Sequence, residues 1–473
     1  MTADMPRPSG GFVPARHTPA PGHSFAAHDV ATALPEELLG RLRVEVAEGL
    51  AARSQTDEAA GRPPMSVTDR QALAEQLTVT ALDGHAAATL AGGGRLLSAQ
   101  TEGALVRRVL DGLFALGGFQ PLLDDPTVEN INANGCDSVW VRYADGRRDQ
   151  AGPVAGSDGE LIELIRTVAA RAGVEERRFD RASPRLSVQL PDGSRLFAVM
   201  AVTGRPCVAI RRHRYLTVTG DDLVGLGTLS PALRVFLRAV VRARKNVLIC
   251  GGTGVGKTTL LRALAADIPR HERLITIEDS LELGLDRDPA AHPDVVAMQA
   301  REANIEGHGE VSLAELVRFA LRMSPDRVIV GEIRGPEVVP ACNAMSQGTD
   351  GSMATLHASS SKGAFTKIAA YAAQGPERLP LEATSLLVAA AIHFVVHLDW
   401  ASDGRRVVSS VREIVGAEDL QIVSNEVWRP GPGRAAVPGA PLRADTMAEL
   451  IAAGYPPPDG VPIGPAGSGG WWP

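Results

Sequence analysis

With 473 residues the chain has room for two or three domains of roughly 100 to 200 residues each, so a single small module is excluded. Apolar residues make up 44% of the chain, charged residues 22% and aromatics 4%, an ordinary globular balance in which aliphatic side chains fill the cores. A net charge of −7 supplies no global positive field for a polyanion, so no nucleic acid is expected as partner and only a local basic channel stays open.

Cys136, Cys207, Cys250 and Cys342 stand too far apart for a C-x-x-C pair or zinc-type spacing, which fits a reducing compartment and no metal cluster. The first residues hold Pro6, Pro8, Pro14, Pro19 and Pro21 with no apolar h-region, so no secretory signal is expected. The longest apolar run, Leu386 to Val396, is broken by His393 and falls short of the roughly 20 residues that cross a bilayer. It reads as a buried helix running into a strand, and a cytoplasmic protein is the expectation.

Residues 1–34 and 429–473 are rich in Pro, Gly and Ala without periodicity and read as disordered tails, the Trp471-Trp472 pair included. Residues 35–119 have a helical pattern, with Leu38, Leu39, Leu42 and Val46 on one face and Leu105, Val106, Val109, Leu110 and Leu113 on another. Residues 120–215 read as a small α/β domain. Its expected strands are Val128 to Ala133, Ser138 to Tyr143, Arg185 to Leu190, Arg195 to Ala201 and Cys207 to Arg212, with a helix from Ser157 or Asp158. A polar linker at 216–225 leads to a last domain, 226–428, where a helix begun by Ser230-Pro231 precedes apolar strands at Val247 to Cys250, Leu274 to Ile277 and Val328 to Val330. Strands alternating with helices predict a mainly parallel sheet with its ligand at the strands' carboxyl ends.

Directly after the first of these strands comes Gly251-Gly252-Thr253-Gly254-Val255-Gly256-Lys257-Thr258, followed by Thr259 and a helical pattern. This matches G-x-x-x-x-G-K-[ST] in its required context, a loop whose backbone N–H groups and helix start cradle phosphates. Lys257 is expected on the β- and γ-phosphates of ATP and Thr258 on Mg²⁺. Only four of the 48 basic residues are lysines, which makes a lysine at this point informative. The next strand ends in Glu278-Asp279, where carboxylates can hold or orient a metal-bound water; such a pair is more often a solvated turn unless a phosphate site lies beside it. The third ends in Gly331-Glu332-Ile333-Arg334-Gly335. Many P-loop enzymes put an Asp where Gly331 stands, and Glu332 is the first candidate for general base on the attacking water. His357 closes a fourth apolar strand, a place where a lone histidine more often satisfies a core hydrogen bond than performs chemistry.

Taken in order, Gly251 to Thr258, Ile277-Glu278-Asp279, Val330 to Gly335, and Asp350-Gly351-Ser352 with Thr355-Leu356-His357-Ala358 resemble the secretion ATPases of type II and type IV systems. Pro121-Leu122-Leu123, Asp125 to Val128, Asn134-Gly135, Leu190 to Arg195, Asn304 to Gly307, Leu321-Arg322-Met323 and Asp403 to Val407 resemble the tight-adherence (CpaF/TadA-like) branch, the motor of Tad or Flp pili. The resemblance runs from about Leu116 to Gly416. It implies an α/β fold in which a RecA-like P-loop domain follows a small α/β domain and a helical N-terminal region. It also implies a homo-hexamer that hydrolyses ATP with Mg²⁺ on the cytoplasmic face of the membrane, docked on a polytopic inner-membrane platform protein. Glu278 becomes the acidic-box glutamate, Glu332 the Walker B glutamate and His357 the sensor of nucleotide state, with Glu278 and Glu332 reaching the metal through water. Arg195, Arg211 and Arg212 fall where the family's N-terminal domain supplies arginines to the phosphates. The chain departs from the pattern at Thr349, where the family often has His or Asn, and at Val202 to Pro206, where tight-adherence members usually carry Pro-Pro-Leu. The rival readings are a P-loop nucleic-acid translocase and a nucleotide-regulated assembly protein with little turnover.

Overall fold

The computed structural model describes residues 36–63, 65–171, 178–212, 217–301, 303 and 307–457. The expected N-terminal tail, Asn304 to Glu306, and the Trp471-Trp472 pair lie outside the described residues. Two compact units make up the chain: one ends at Pro121 and takes in Val154–Gly156, and the other holds Leu122–Pro153 and the chain from Ser157 onward. Within the first unit lie helices α1 (Glu36–Ala59), α2 (Val67–Ala91) and α3 (Ala99–Phe114). Ser66 and Ser98 cap α2 and α3, each hydroxyl accepting at 3.1 Å from the backbone N–H three residues on. Leu38, Leu39, Leu42 and Val46 of α1 join Leu105 and Val109 of α3 in one buried cluster, the faces marked by helical spacing.

A short helix α4 (Gln120–Asp124) is followed by strands β1 (Val128–Asn134), β2 (Val139–Tyr143) and β3 (Arg148–Ala151), then helix α5 (Asp158–Arg171), then β4 (Arg185–Gln189), β5 (Arg195–Val199) and β6 (Cys207–Arg211). The six strands form an antiparallel sheet in the order β3-β2-β1-β6-β5-β4. Period-two alternation buries Ile131, Val141, Val188, Leu196 and Ile210 and turns Asn130, Arg195 and Arg211 to the other face, where Arg195 and Arg211 are direct cross-strand partners. Strand β3, Arg-Asp-Gln-Ala, was not expected, because it carries no hydrophobic alternation to betray it.

Where a linker was expected, Thr219 and Asp222 form a capping box that starts helix α6 (Gly220–Gly225). Ser230 then caps α7 (Pro231–Arg242). The nine-stranded sheet has the order β15-β14-β13-β12-β7-β11-β10-β8-β9. Strands β7 (Val247–Gly251), β8 (Leu274–Glu278), β9 (Val295–Gln299), β10 (Arg327–Ile333), β11 (Met353–His357) and β12 (Phe394–Trp400) run parallel. Antiparallel strands β13 (Arg406–Glu418), β14 (Gln421–Pro430) and β15 (Ala436–Pro438) extend one edge. The connecting helices are α8 (Lys257–Ala265), α9 (Leu313–Ala320), α10 (Val338–Met345), α11 (Gly363–Gln374) and α12 (Leu381–Ala391), with α13 (Ala444–Ala452) last. Every residue of β7 is buried: Val247 and Ile249 pack into one core with α7 and α8, Leu248 and Cys250 into the other with α9, α10 and α12. This is why a central parallel strand reads as an unbroken apolar run. All four cysteines are free, and among the described residues no helix is long and apolar enough to cross a membrane.

The expected tail at 429–473 needs correction as far as residue 457. Its Pro and Gly residues make turns between β14, β15 and α13, and sparse apolar residues anchor them: Ala436 and Leu450 are buried, and the rings of Trp428 and Tyr455 lie 5.8 and 5.7 Å from that of Phe236 on α7. Composition alone hides such anchors, since three well-placed side chains in the segment, with Trp428 just before it, suffice.

At the amino ends of the parallel strands a buried polar network fixes the register. The Asn246 carboxamide donates to Met345 O and Ala391 O at 2.7 Å and accepts from Gly351 N at 2.8 Å and Ser352 N at 2.9 Å. Ser352 Oγ in turn accepts from Val328 N at 2.9 Å. The buried Arg327 guanidinium forks on to Glu272 at 2.7 and 2.8 Å and also donates to Val241 O at 2.9 Å. Glu272→Ala leaves Arg327 as an uncompensated buried cation and is expected to cost about 3–5 kcal/mol, read as a lowered midpoint in urea unfolding.

Candidate active site

The loop from Gly251 to Gly256 joins the carboxyl end of β7 to the amino end of α8, with Val255 buried beneath it as an apolar anchor. Gly254 and Gly256 have φ of +76° and +96°, a left-handed region where a side chain is strained, and this is what lets the loop curl over the helix start. Thr258 and Thr259 stand half-buried in the first turn of α8, and Gly252 and Thr253 are exposed at the rim. Lys257 is buried, and its ammonium donates to Gly252 O at 3.0 Å and Gly251 O at 3.4 Å. It also lies 3.1 Å from His357 Nδ1 at the end of β11. Burial, reinforced by Arg211 and Arg334 and opposed by Glu332, lowers its pKa to about 8. The same surroundings, burial first and then the Lys257 charge, lower that of His357.

Two carboxylates arrive on neighbouring strands and do different things. Glu278, the last residue of β8, is buried and accepts from the backbone N–H groups of Glu282 and Leu283, so it closes the turn that follows its own strand. Burial outweighs those donors and raises its pKa to about 7. A Cβ on Gly331 of the adjacent strand would lie 2.9 Å from Glu278 Cγ, so the missing side chain at 331 is the space Glu278 occupies. Glu332 points to the loop instead. Its Oε2 is held by Arg334 at 2.6 and 2.8 Å. Its Oε1 is buried 2.6 Å from His357 Nε2, off the line of a hydrogen bond, and no donor is aligned on it. A carboxylate beside the phosphate loop is the chemistry that suits a water or a hydrated cation.

Charge continues outward from Glu332. Arg334 reaches Asp279 Oδ2 at 3.0 Å, and Arg195, from β5 of the smaller sheet, stands 3.7 Å from the same oxygen. Arg211 adds its field to Lys257 and His357. Arg212 is not part of this group, because its guanidinium donates to the Asp125 carbonyl. The structure therefore gathers Lys257, Glu332, His357, Arg195 and Arg211 at one strand-end edge, sets Glu278 behind them, and leaves Arg212 out.

Two participants carried no expected role. Arg334 lies two residues past Glu332, so its place could have been inferred. Arg406 could not: 152 residues separate it from Gly254, whose carbonyl accepts its Nε–H at 2.9 Å. The same guanidinium is 3.8 Å from Glu129 of β1 and 5.1 Å from the Trp400 ring. Arg406 thus ties the phosphate loop to the smaller sheet. Removing a charge-assisted bond worth about 1.5–3 kcal/mol in a partly exposed setting, Arg406→Ala is expected to weaken nucleotide binding about five- to tenfold, read by fluorescent-nucleotide titration. A phosphate placed on Lys257 favours its charged form. Nucleotide binding should therefore take up a proton at about pH 9 and not near pH 7, seen as buffer-dependent heats in calorimetry. Lys257→Arg, charged at both pH values, should abolish the uptake.

The type II/IV secretion system protein family model matches residues 117–425. A putative conjugal transfer protein of Mycobacterium tuberculosis is 34% identical over 331 residues, covering 68% of this chain and 90% of its own length. The type IV secretion system protein VirB11 of Brucella suis is 31% identical over 323 residues, covering 62% of this chain and 87% of its own. Among solved structures, the Brucella suis VirB11 ATPase in complex with sulphate aligns at a TM-score of 0.34 with 29% identity, over 66% of this chain and 96% of that one. The pilus retraction motor PilT with bound ADP aligns at 0.46 with 18% identity, over 71% and 85%.

Proposed function

The chain is an ATPase belonging to the type II/IV secretion system protein family, and on that premise we propose that it is the cytoplasmic motor of a pilus-assembly or secretion system of the tight-adherence (Tad/Flp) kind. The supporting observation is that Arg195 and Arg211 of the smaller sheet share one charged edge with Lys257, Glu332 and His357 of the larger one. Hydrolysis at such an edge changes the charge that both sheets face and so couples chemistry to domain position. Lys257 exchanges the Gly251 and Gly252 carbonyls for phosphate oxygens. Glu332, with Arg334 holding one oxygen, takes the proton of the attacking water on the other. His357, within reach of both Lys257 and Glu332, reports which of them is engaged. Glu278 keeps the neighbouring turn in place. Thr258 would hold Mg²⁺, with Glu332 facing the same loop, and the bound ion would supply neutralisation of the phosphate charge.

In this reading the protein works as a homo-hexamer on the cytoplasmic face of the membrane, against a polytopic platform protein, and moves no nucleic acid. Lys257→Ala should lose ATPase activity. Glu332→Gln should keep nucleotide binding while turnover falls about 10²- to 10⁴-fold. Normal turnover in Lys257→Ala would sink the site. Negligible turnover in the unaltered protein would favour a nucleotide-regulated assembly role, and strong stimulation by single-stranded or duplex DNA a translocase. Particle images with a slowly hydrolysed ATP analogue give the ring.

A further inference from the structure

Helix α8 begins at the phosphate loop and returns its carboxyl end to the amino-terminal edge of the parallel sheet, where α7 also ends. There a cavity of about 700 Å³ opens between α7, the turn after α8 and the carboxyl end of α13. Its size is that of small-molecule sites, roughly 300–1,000 Å³. Four arginines and two aspartates line it. Arg234, Arg238 and Arg242 follow one another at helical i, i+4 spacing on a single face of α7, and Arg270 meets them from the turn.

The four are not equivalent. Arg234 is buried and committed: it forks on to Asp267 at 2.5 and 3.0 Å and reaches Asp221 at 3.2 Å, so the two aspartates are held at Arg234 and the lining as a whole, four arginines against two aspartates, stays positive. Arg238, Arg242 and Arg270 are exposed and make no hydrogen bond or ion pair among the described residues. Arg242, in the last turn of α7, complements that helix's negative end, but Arg238 and Arg270 have no such duty. Like charges around one cavity repel, and a bound anion removes the repulsion. The guanidinium fork matches the oxygens of a phosphate.

The third wall is rigid. Lys245 pairs with Glu449 on α13, Leu450 is buried, and Tyr455 packs edge-on against Phe236. Helix α13 lies beyond residue 425, where the family match ends. We propose that this cavity binds a phosphate-bearing anion, either a free phosphorylated molecule or a phospholipid headgroup, separately from the nucleotide at Lys257.

The test uses the full chain with saturating ADP, so that the phosphate loop is filled. Pyrophosphate binding is measured by calorimetry. Sedimentation is measured with phosphatidylglycerol–cardiolipin vesicles and with phosphatidylcholine vesicles. The unaltered protein should bind pyrophosphate or the anionic vesicles, and not the neutral ones. The triple variant Arg238→Gln, Arg242→Gln, Arg270→Gln should bind at least tenfold more weakly with unchanged ADP affinity. Ala452→Trp, which fills the cavity while leaving every arginine in the sequence, should do the same. Pyrophosphate binding without vesicle binding identifies a soluble ligand, and the converse identifies a headgroup. Binding that survives both variants, or no binding to either probe, overturns the proposal.

Discussion

Asn246 stands at the foot of β7 with its carboxamide bound to four backbone groups from three other segments, those around Met345, Gly351 and Ala391. Side chains alternate along a strand, so a slip of one residue between β7, β11 and β10 would turn His357 and Glu332 away from the loop that leads to Lys257. Apolar packing does not prevent such a slip, because runs like Val247 to Cys250 offer similar side chains at every step. Hydrogen bonds that fit in one register only do prevent it. The Asp350-Gly351-Ser352 segment belongs to this foot and not to the chemistry. It lies at the opposite end of β11 from His357, and its conformation is fixed by Asn246 and by Ser352 on Val328.

At the other end of the same strands the charges are arranged as a series in which each member is only partly satisfied. Lys257 leans on carbonyls, Glu332 has one oxygen held by Arg334 and the other set against His357, and Asp279 is shared between Arg334 and Arg195. A site built this way is responsive, since one added dianion changes the best partner of several side chains at once.

Much of this was legible in the sequence where local chemistry carries the signal. The phosphate loop, the strand ends at Glu278 and Glu332, and the strand ending at His357 are each set by a short apolar run followed by a polar residue. Order along the chain then placed them on one edge. What could not be read was long-range or negative. The contact of Arg406 with Gly254 crosses most of the domain, α13 hides among prolines, and β3 lacks hydrophobic alternation. Glu278 and Glu332 look alike as sequence, both glutamates at strand exits, and only packing shows that one faces a turn and the other the loop. Arg211 and Arg212 are adjacent residues, yet only Arg212 donates to the Asp125 carbonyl, while Arg211 lies beside Arg195 and adds its charge at Lys257.

The missing Cβ at Gly331 makes positions 278 and 331 a single unit of volume shared by two strands. A chain carrying an aspartate at 331 would need a shorter residue at 278, and the turn at 282–283 would then lose the acceptor that closes it. A side chain added at 331 alone meets Glu278 Cγ, and a shorter residue at 278 alone leaves the turn without its acceptor. The acidic group behind the phosphate loop can therefore sit on one strand or on its neighbour, and a route between these arrangements passes through a form with too much side chain or too little.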